Sequence, residues 1–194
     1  MRIVSGIARG RKLKCPPGRE VRPTADMVKE ALFNIIGQDV IDCIFLDLFA
    51  GTGSVGIEAL SRGASFCYFV EKVYNNIKYI KKNISLSNLT DKGQIIHKDA
   101  NEALIVFNKA GIKFDIIYID PPYYKNLYEK PLIYISKSKI LKDNGYIIVE
   151  HHKADILKDR YDNLERIRIK SYSETCLSFY KEVTYENCGI SGQF

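Results

Sequence analysis

From residue 41 onward, short apolar runs alternate with stretches in which apolar residues recur at helical spacing. The short runs are typical of buried strands, and the longer periodic stretches are typical of amphipathic helices. The predicted strands are residues 43–48, 66–70, 94–97, 114–119 and 146–150. The predicted helices between them lie near residues 54–62, 74–86, 101–108 and 132–141. This alternation predicts an α/β fold with a doubly wound, mostly parallel sheet and helices on both faces.

Both ends of the chain depart from this alternation. Near the C-terminus, residues 166–171 and 177–183 have strand character with no helix between them. They predict an antiparallel strand pair that closes one edge of the sheet. Near the N-terminus, Thr24 can cap a helix that Gly37 then ends. One face of that helix carries Val28, Ala31, Leu32, Ile35 and Ile36.

The excess positive charge is concentrated in one short segment. The formal net charge is +6, and residues 1–24 hold seven basic side chains against one acid. The basic residues are Arg2, Arg9, Arg11, Lys12, Lys14, Arg19 and Arg22. A clustered basic segment on an otherwise neutral domain is typical of a protein that binds nucleic acid. A disordered basic tail is the alternative.

Apolar residues interleave with these charges, which favours an ordered hairpin over a disordered tail. They are Ile3, Val4, Ile7 and Leu13, and we expect the turn near Ala8-Arg9-Gly10-Arg11. We therefore expect residues 1–40, here named the basic extension, to form a hairpin followed by a helix.

Length and composition exclude several classes of protein. At 194 residues and 46% hydrophobic composition, the chain is long enough for one domain with a real core. No apolar run approaches the roughly 20 residues that cross a membrane, and we expect no signal peptide. The five cysteines form no C-x-x-C pair, so we expect reduced thiols, a cytoplasmic protein and no metal site.

Gly51, Gly53 and Gly56 form a G-x-G-x-x-G sequence directly after the first predicted strand and at the start of a helix. Glu71 follows Gly51 by 20 residues, at the end of the next strand. This spacing fits a dinucleotide-binding loop, so a nicotinamide or flavin nucleotide is the first interpretation. Asp47 at the strand tip argues against it, because a carboxylate would repel the pyrophosphate in a partly dry cleft.

A cofactor with cationic groups and no phosphates suits this loop better. S-adenosylmethionine carries an ammonium and a sulfonium, and its ribose hydroxyls can donate to Glu71. Carboxylates stand at or just after the ends of four strands, at Asp47, Glu71, Asp99 and Asp120. Ligands bind at that edge of an open sheet, although Asp99 is also placed to cap a helix. The predicted cofactor contacts are Asp47, Phe49, Ala50, Gly51, Thr52, Gly53, Gly56, Glu71, Lys72, Asp99 and Ala100.

The apolar strand at residues 114–119 ends abruptly in Asp120-Pro121-Pro122-Tyr123. The prolines stiffen this segment, so the carbonyls beside them point in set directions. A carboxylate and a carbonyl can both accept from one NH2 group, and Tyr123, or Tyr124, offers a stacking face. Such acceptors activate an exocyclic aromatic amine and hold it in line with a methyl sulfonium. We predict that these four residues are catalytic; the alternative is a rigid turn without chemistry.

Several of these segments resemble the bacterial 16S rRNA guanine-N2 methyltransferases of the RsmD type. The resemblance spans residues 1 to about 183, and its N-terminal motif is more specific than the glycine loop. It rests on residues 2–6 with 9–11, 22–24 with 30–34, 47–54 with 56–64, and 120–123. The chain departs from the family at Ser173, where glycine is usual, and the tail 184–194 has no counterpart there.

The resemblance implies a seven-stranded, Rossmann-like methyltransferase fold, with residues 41–194 as the S-adenosylmethionine-dependent domain. It also implies methylation of a guanine N2 in 16S rRNA, within an assembled or assembling small ribosomal subunit. The basic extension would then face RNA, and we expect a monomer that binds neither metal nor membrane. The RNA-binding candidates are Arg2, Arg9, Arg11, Lys12, Arg19 and Arg22.

Other amino-methyltransferases are the closest alternatives. DNA adenine-N6 and protein glutamine-N5 enzymes share the tip of the catalytic strand, but glutamine-N5 enzymes usually have Asn where this chain has Asp120. A DNA enzyme would usually need a larger target-reading region than the basic extension. An NAD-type oxidoreductase and a non-catalytic rRNA-binding factor are less favoured, because the carboxylates at the strand ends suit a cationic cofactor and catalysis.

Overall fold

The computed structural model describes residues 1–17, 23–122 and 127–183, with the side chains of the first helix described from Asp26 onward. Some predictions concern residues outside these ranges. They are the basic residues Arg19 and Arg22, the aromatic rings of Tyr123 and Tyr124, and the tail 184–194, and all of these remain predictions. The first helix begins at Pro23, so Thr24 lies within its first turn and the predicted cap at Thr24 is wrong.

A single mixed sheet of eight strands forms the centre of the described chain. In chain order, its strands are β1 (Ile44–Asp47), β2 (Phe66–Val70), β3 (Gly93–Ile96), β4 (Phe114–Ile119), β5 (Leu141–His152), β6 (Arg160–Tyr161), β7 (Leu164–Tyr172) and β8 (Thr175–Glu182). They lie in the order β3-β2-β1-β4-β5-β8-β7-β6. The first five are parallel, and β8 runs antiparallel between β5 and β7. The order reverses between β1 and β4, where open sheets bind ligands.

Helices cover both faces of this sheet. The described α-helices are α1 (Pro23–Ile36), α2 (Ser54–Ser61), α3 (Tyr74–Leu86), α4 (Ala100–Lys109) and α5 (Glu129–Ser136). Successive side chains of a strand point to opposite faces. On β1, Phe45 joins the core cluster that contains residues of α1, α2 and α3, whereas Leu46 joins the cluster that contains residues of α4 and α5. The predicted doubly wound α/β fold is therefore confirmed.

The segment between α5 and β5 differs from the prediction. The periodicity predicts a helix near residues 132–141, but α5 ends at Ser136 and β5 already begins at Leu141. Leu141 pairs with Phe114, and a shift of register follows. Gly145 lies within that shift, where an added Cβ would be 2.9 Å from the carbonyl oxygen of Phe114. Short apolar runs fit a helix or a strand equally, so the sequence pattern could not place this boundary.

The sheet has one strand more than the seven that the resemblance implies. The additional strand, β6, has two residues and pairs with the start of β7 through Arg160 with Glu165 and Tyr161 with Leu164. Two residues are too few for any periodicity to show, so this strand could not be predicted. The predicted antiparallel pair near the C-terminus is present as β7 and β8.

Two of the expected turn positions adopt left-handed backbone conformations. Gly37 follows α1 with φ 58°, as a helix stop requires. Ser173 has φ 55° in the turn between β7 and β8. Glycine enters this region without steric cost, which is a physical reason for the glycine that the family usually has here. The departure at Ser173 leaves the turn intact, since Tyr172 and Thr175 still pair across it.

The predicted hairpin of the basic extension is present and packs onto the rest of the chain. Arg2 and Lys12 form an antiparallel bridge, and the N–H of Ile3 donates to the carbonyl of Arg11 at 3.0 Å. Ile3 is fully buried in the core cluster that contains residues of α1, α2 and α3, whereas Ile7 is 76% exposed. The domain boundary after residue 40 remains a prediction.

Within the described residues, none of the helices could span a bilayer. The described residues also contain no group of three or more His, Cys, Asp or Glu side chains that could hold a metal ion. Cys43 and Cys67 are buried thiols. Burial raises the pKa of Cys43 to about 12 and that of Cys67 well above its ordinary value, so neither is a reactive thiolate.

Candidate active site

A pocket of about 400 Å³ opens at the carboxyl ends of the parallel strands, beside the point where the strand order reverses. Its volume is typical of small-molecule sites, which span about 300–1,000 Å³. The predicted site residues on its wall are Phe49, Gly51, Glu71, Lys72, Asp99, Ala100, Asp120, Pro121 and Pro122. The predicted cofactor residues that do not line it are Asp47, Ala50, Thr52, Gly53 and Gly56.

The glycine loop, residues 51–56, joins β1 to α2 in a shape that depends on glycine. Gly51 and Gly53 have φ values of 56° and 80°, in the left-handed region. Gly56 packs α2 closely onto β2, because an added Cβ would lie 2.4 Å from the ring of Phe69 and 2.6 Å from Sγ of Cys67. The glycines thus keep the backbone near both the pocket and the sheet, as in dinucleotide-binding loops.

Asp47 ends β1 but lies behind the pocket wall and is only 2% exposed. Its Oδ2 accepts a hydrogen bond from the N–H of Gly56 at 3.1 Å, so the carboxyl group holds the glycine loop against the strand. Burial raises the pKa of Asp47 to about 7; the Gly56 hydrogen bond opposes this shift, and the charge of Glu71 adds to it. A direct contact between Asp47 and a cofactor remains a prediction.

Glu71 follows β2 and lines the pocket. Its Oε1 accepts from the N–H of Val73 at 2.7 Å, and its Oε2 accepts from Nδ2 of Asn76 at 3.2 Å. These bonds hold the start of α3, a role that the sequence pattern did not indicate. An ionised carboxylate offers about four lone-pair sites, so Glu71 can still accept from a ligand.

Asp99 is the N-cap of α4, as its position in the sequence suggested. Its Oδ1 accepts from the N–H of Asn101 at 3.1 Å, and its Oδ2 lies 3.6 Å from Nζ of Lys72. Both charged side chains are well exposed at the rim of the pocket. Exposed ion pairs contribute only about 0–1 kcal/mol, so a ligand can displace this pair at little cost.

Asp120 lies at the tip of β4, and Pro121 and Pro122 continue the pocket wall. Burial raises the pKa of Asp120 well above its ordinary value, and the charges of Glu150 and Asp47 raise it further. Within the described residues, no hydrogen bond or ion pair stabilises its charged form. The carboxyl group is therefore placed to gain such a partner from a ligand in the pocket.

Glu150 is a second acid in the same pocket, on β5, and no sequence motif indicated it. Its Oε2 accepts from the hydroxyl of Tyr118 at 2.5 Å. Burial raises the pKa of Glu150, and the hydrogen bond from Tyr118 acts against that shift. One signal was available in the sequence: Glu150 is a charged residue that ends an apolar run, which is also the position of Asp120.

A fully buried acid, Glu58, fixes the basic extension to α2. Its carboxylate accepts from the N–H of Val4 at 2.8 Å and from the N–H of Ser5 at 3.0 Å. Its oxygens also lie 2.8 Å from Nε of Arg62 and 3.6 Å from Nζ of Lys29. Glu58 thus has backbone and charged partners, all supplied by the protein itself.

Asn83, on α3, joins the basic extension to the glycine loop and is fully buried. Its Oδ1 accepts from the N–H of Lys14 at 2.7 Å, and its Nδ2 donates to the carbonyl of Thr52 at 2.9 Å. Nearby, the guanidinium of Arg11 donates to the carbonyl of Leu86 at 2.7 Å. The path of the extension is therefore set by the same helix that packs beside the loop.

The strand order and the pocket define a Rossmann-like methyltransferase fold, and solved structures agree. The Escherichia coli protein described as "Putative methyltransferase yhhF" shares the fold with a TM-score of 0.82 at 31% identity, over 94% of this chain and 97% of that one. SMU.776, described as "a putative methyltransferase complexed with SAH", has a TM-score of 0.66 at 16% identity, over 84% of this chain and 50% of that one. The predicted fold class is confirmed.

The chain belongs to the family described as conserved hypothetical protein 95, whose family model matches residues 1–181. The "Putative rRNA methyltransferase YlbH" of Bacillus subtilis is 38% identical over 182 residues, which cover 94% of this chain and 99% of that protein. The "Ribosomal RNA small subunit methyltransferase D" of Escherichia coli is 33% identical over 150 residues, or 77% of this chain and 71% of that protein. The resemblance seen in the sequence is confirmed.

Proposed function

We propose that this protein transfers a methyl group from S-adenosylmethionine to the exocyclic N2 of a guanine in 16S rRNA of the small ribosomal subunit. The observation that carries the proposal is the position of Asp120, which shares one pocket with Gly51 of the glycine loop and with Glu71. A methyl donor bound along the loop would lie beside an acceptor for the amine of a base. The relatives named as rRNA methyltransferases support the choice of substrate.

The charges on the pocket wall favour a cationic cofactor. Among the described residues of the wall, four acids stand against two lysines: Glu71, Asp99, Asp120 and Glu150 against Lys72 and Lys98. S-adenosylmethionine brings an ammonium and a sulfonium, which carboxylates attract strongly in a partly dry site. A nicotinamide dinucleotide would bring a pyrophosphate to the same acids, so this alternative is disfavoured.

The reaction needs an acceptor more than a strong base, because the lone pair of an aromatic amine is delocalised into the ring. The carboxylate of Asp120 and a carbonyl beside Pro121 accept from its N–H groups, which returns electron density to the nitrogen. They would also align the nitrogen with the methyl group of the cofactor. As the N–C bond forms, the methyl–sulfur bond would break to leave S-adenosylhomocysteine, and the displaced N2 proton would pass to Asp120 or to water. The raised pKa of Asp120 fits this role, because the amine and the sulfonium stabilise its charged form on arrival. Tyr123 supplies the stacking face in this proposal.

The basic extension is the proposed contact with rRNA. Arg2, Arg9 and Lys12 have exposed side chains on its hairpin. Arg11 is partly buried, and its guanidinium contacts a backbone carbonyl of α3. Exposed cations attract phosphates whatever the base sequence, so the extension supplies affinity and the pocket supplies the chemistry.

Methyl transfer from radiolabelled S-adenosylmethionine separates this proposal from its alternatives. We expect label in small ribosomal subunits taken from cells that lack the protein, and no label in duplex DNA or in a glutamine-containing peptide. Protein with Asp120→Ala controls for a contaminating activity. Label in DNA alone would indicate an adenine-N6 enzyme, and label in peptide alone a glutamine-N5 enzyme. No transfer, together with tight binding of reduced nicotinamide cofactor, would indicate an oxidoreductase.

A further inference from the structure

We propose that Glu150 accepts a hydrogen bond from N1–H of the target guanine, and that this contact makes the pocket select guanine over adenine. The inference rests on the proposed function, because it concerns the base that enters the same pocket. It assigns a substrate contact to a residue outside the four-residue tip of β4.

Glu150 and Asp120 stand side by side on neighbouring strands. Tyr118 on β4 pairs with Ile148 on β5 in parallel register. Side chains return to the same face two residues further along a strand, which places Asp120 beside Glu150. Both line the pocket. The site therefore presents two adjacent carboxyl groups to one edge of a bound base.

Tyr118 holds Glu150 in place as an acceptor. Its hydroxyl donates to Oε2 of Glu150 at 2.5 Å, across the two strands. Burial and the charge of Glu150 raise the pKa of Tyr118 well above its ordinary value, so the phenol keeps its proton and remains a donor. One oxygen of Glu150 is thus engaged, and Oε1 is available to an N–H group in the pocket.

The two purines differ at the edge that such a pair would contact. Guanine presents two adjacent donors, N1–H and the N2 amine, whereas adenine presents the N6 amine beside N1, which is an acceptor. Two carboxylates match the guanine edge. Adenine in the same place would still donate from its N6 amine to Asp120, but its N1 lone pair would face Glu150, and neither of those two acceptors would have a donor, which disfavours binding.

The electrostatics of the pair support the same arrangement. Burial raises the pKa of Asp120 and that of Glu150, and the charge of Glu150 adds to the shift at Asp120. Two ionised carboxylates side by side repel each other, so the charged pair needs donors or a cation nearby. Two N–H donors and a neighbouring sulfonium relieve this repulsion, whereas adenine supplies a donor to only one of the acids.

The test compares guanine with 2-aminopurine at the methylated position of small-subunit rRNA, after that nucleotide has been mapped. 2-Aminopurine keeps the N2 amine, but its N1 carries a lone pair in place of a proton. We expect wild-type protein to favour guanine by about 10- to 100-fold in kcat/KM, as for a hydrogen bond to a charged group. Glu150→Gln should narrow this ratio to within about threefold, since its amide can donate to or accept from N1.

Two further variants control for indirect effects. Tyr118→Phe removes the phenol that holds Glu150 and should narrow the ratio partly, with the affinity for S-adenosylmethionine retained. Glu174→Gln removes an exposed carboxylate from the turn between β7 and β8 and should leave the ratio unchanged. 2-Aminopurine also lacks O6 of guanine, but that difference is the same for every variant and cancels in the comparison.

The failure of this inference is distinguishable from the failure of the proposed function. Equal rates of wild-type protein on the two bases would overturn the role of Glu150 without any variant. An unchanged ratio in Glu150→Gln protein that still binds the cofactor would do the same. Both results leave guanine methylated and the proposed function intact. Absence of methyl on guanine N2 in wild-type reactions would instead overturn the proposed function, and this inference with it.

Discussion

Two regions of the molecule bury acids, and the acids differ in the partners that the protein gives them. Beneath the basic extension, Glu58 is fully buried, accepts from two backbone N–H groups and lies against Arg62 and Lys29. In the pocket, Asp120 and Glu150 together receive one hydrogen bond from the described residues, the one that Tyr118 donates.

The difference separates an acid that serves the structure from acids that require a ligand. A buried charge needs hydrogen bonds and opposite charge to offset the loss of water. The protein meets this need at Glu58. At Asp120 and Glu150 the pKa of each carboxyl group is raised, which means that the protein alone does not offset the cost of burying their charged forms. Perturbed acids of this kind, grouped in a cleft, are typical of functional sites.

Removing Glu58 should have the largest effect on folding. Glu58→Ala leaves Lys29, Arg62 and two N–H groups without their shared acceptor, so we expect the free energy of unfolding to fall by about 3–5 kcal/mol. Urea unfolding followed by circular dichroism measures this. Glu102→Ala, at an exposed acid in the first turn of α4, is the matched control and should change stability by less than about 1 kcal/mol. If Glu58→Ala also changed the free energy of unfolding by less than about 1 kcal/mol, Glu58 would not have this structural role.

Removing Asp120 should affect activity strongly and stability little, which is the opposite of the effect expected at Glu58. Asp120→Ala should lower the rate of methyl transfer by about 100- to 1,000-fold, because one preorganised acceptor is lost. Its free energy of unfolding should be unchanged or higher, since a poorly partnered acid has been removed. Single-turnover assays and urea unfolding measure the two quantities, and calorimetry checks that cofactor affinity is nearly kept. Wild-type turnover by this variant would exclude Asp120 from the reaction.

Asp47 is another buried acid, and its raised pKa makes the free energy of unfolding fall as pH rises. Its pKa in the folded protein is about 7, above the ordinary 3.8, so between these values the folded state holds a proton that the unfolded state has lost. The stabilisation that this proton contributes is fully present below about pH 4 and is lost as pH rises through about 7. Asp47→Asn, whose amide oxygen can still accept from Gly56, should therefore make the free energy of unfolding fall less steeply as pH rises.

Urea unfolding between about pH 5 and pH 8 measures this slope. The matched control is Asp91→Asn, at an exposed acid in the turn before β3, which should keep the wild-type slope. Identical slopes for the Asp47 variant and the wild type would show that Asp47 is not the group that titrates.

The smallest expected effect concerns the exposed hairpin. Arg9→Ala should weaken binding to small-subunit rRNA modestly and lower the slope of log affinity against log salt by about 1, because each phosphate contact releases about one counterion. Filter binding at several salt concentrations measures the slope. Lys109→Ala, at an exposed cation in the last turn of α4, should leave it unchanged. If Arg9→Ala also left it unchanged, the hairpin would not contact the phosphate backbone.

The parallel core could be predicted because its local signals are strong and agree with one another. The apolar run 114–119 ends at prolines, and β4 has the same bounds. The periodic stretch 74–86 likewise coincides with α3. The glycine loop was recognisable because the left-handed conformations of Gly51 and Gly53 restrict those positions to few residue types.

The features that the sequence could not show depend on contacts between distant residues. Glu58 is one of 23 acids in the chain, and its role follows only when Val4 and Ser5, more than 50 residues earlier, reach its carboxylate. Glu150 becomes a neighbour of Asp120 only because β5 pairs with β4. Residue type and spacing do not show which distant residues come into contact with Glu58 or Glu150, so the sequence assigned no role to either acid.

The identity of the methylated nucleoside decides whether Asp120 directs the methyl group to guanine N2. Small ribosomal subunits from cells that lack this protein are incubated with it and labelled S-adenosylmethionine, and the rRNA is then digested to nucleosides for mass spectrometry. The proposed mechanism predicts label in N2-methylguanosine, lost when Asp120→Ala protein replaces the wild type. Label in N6-methyladenosine, or rRNA without label, would contradict it.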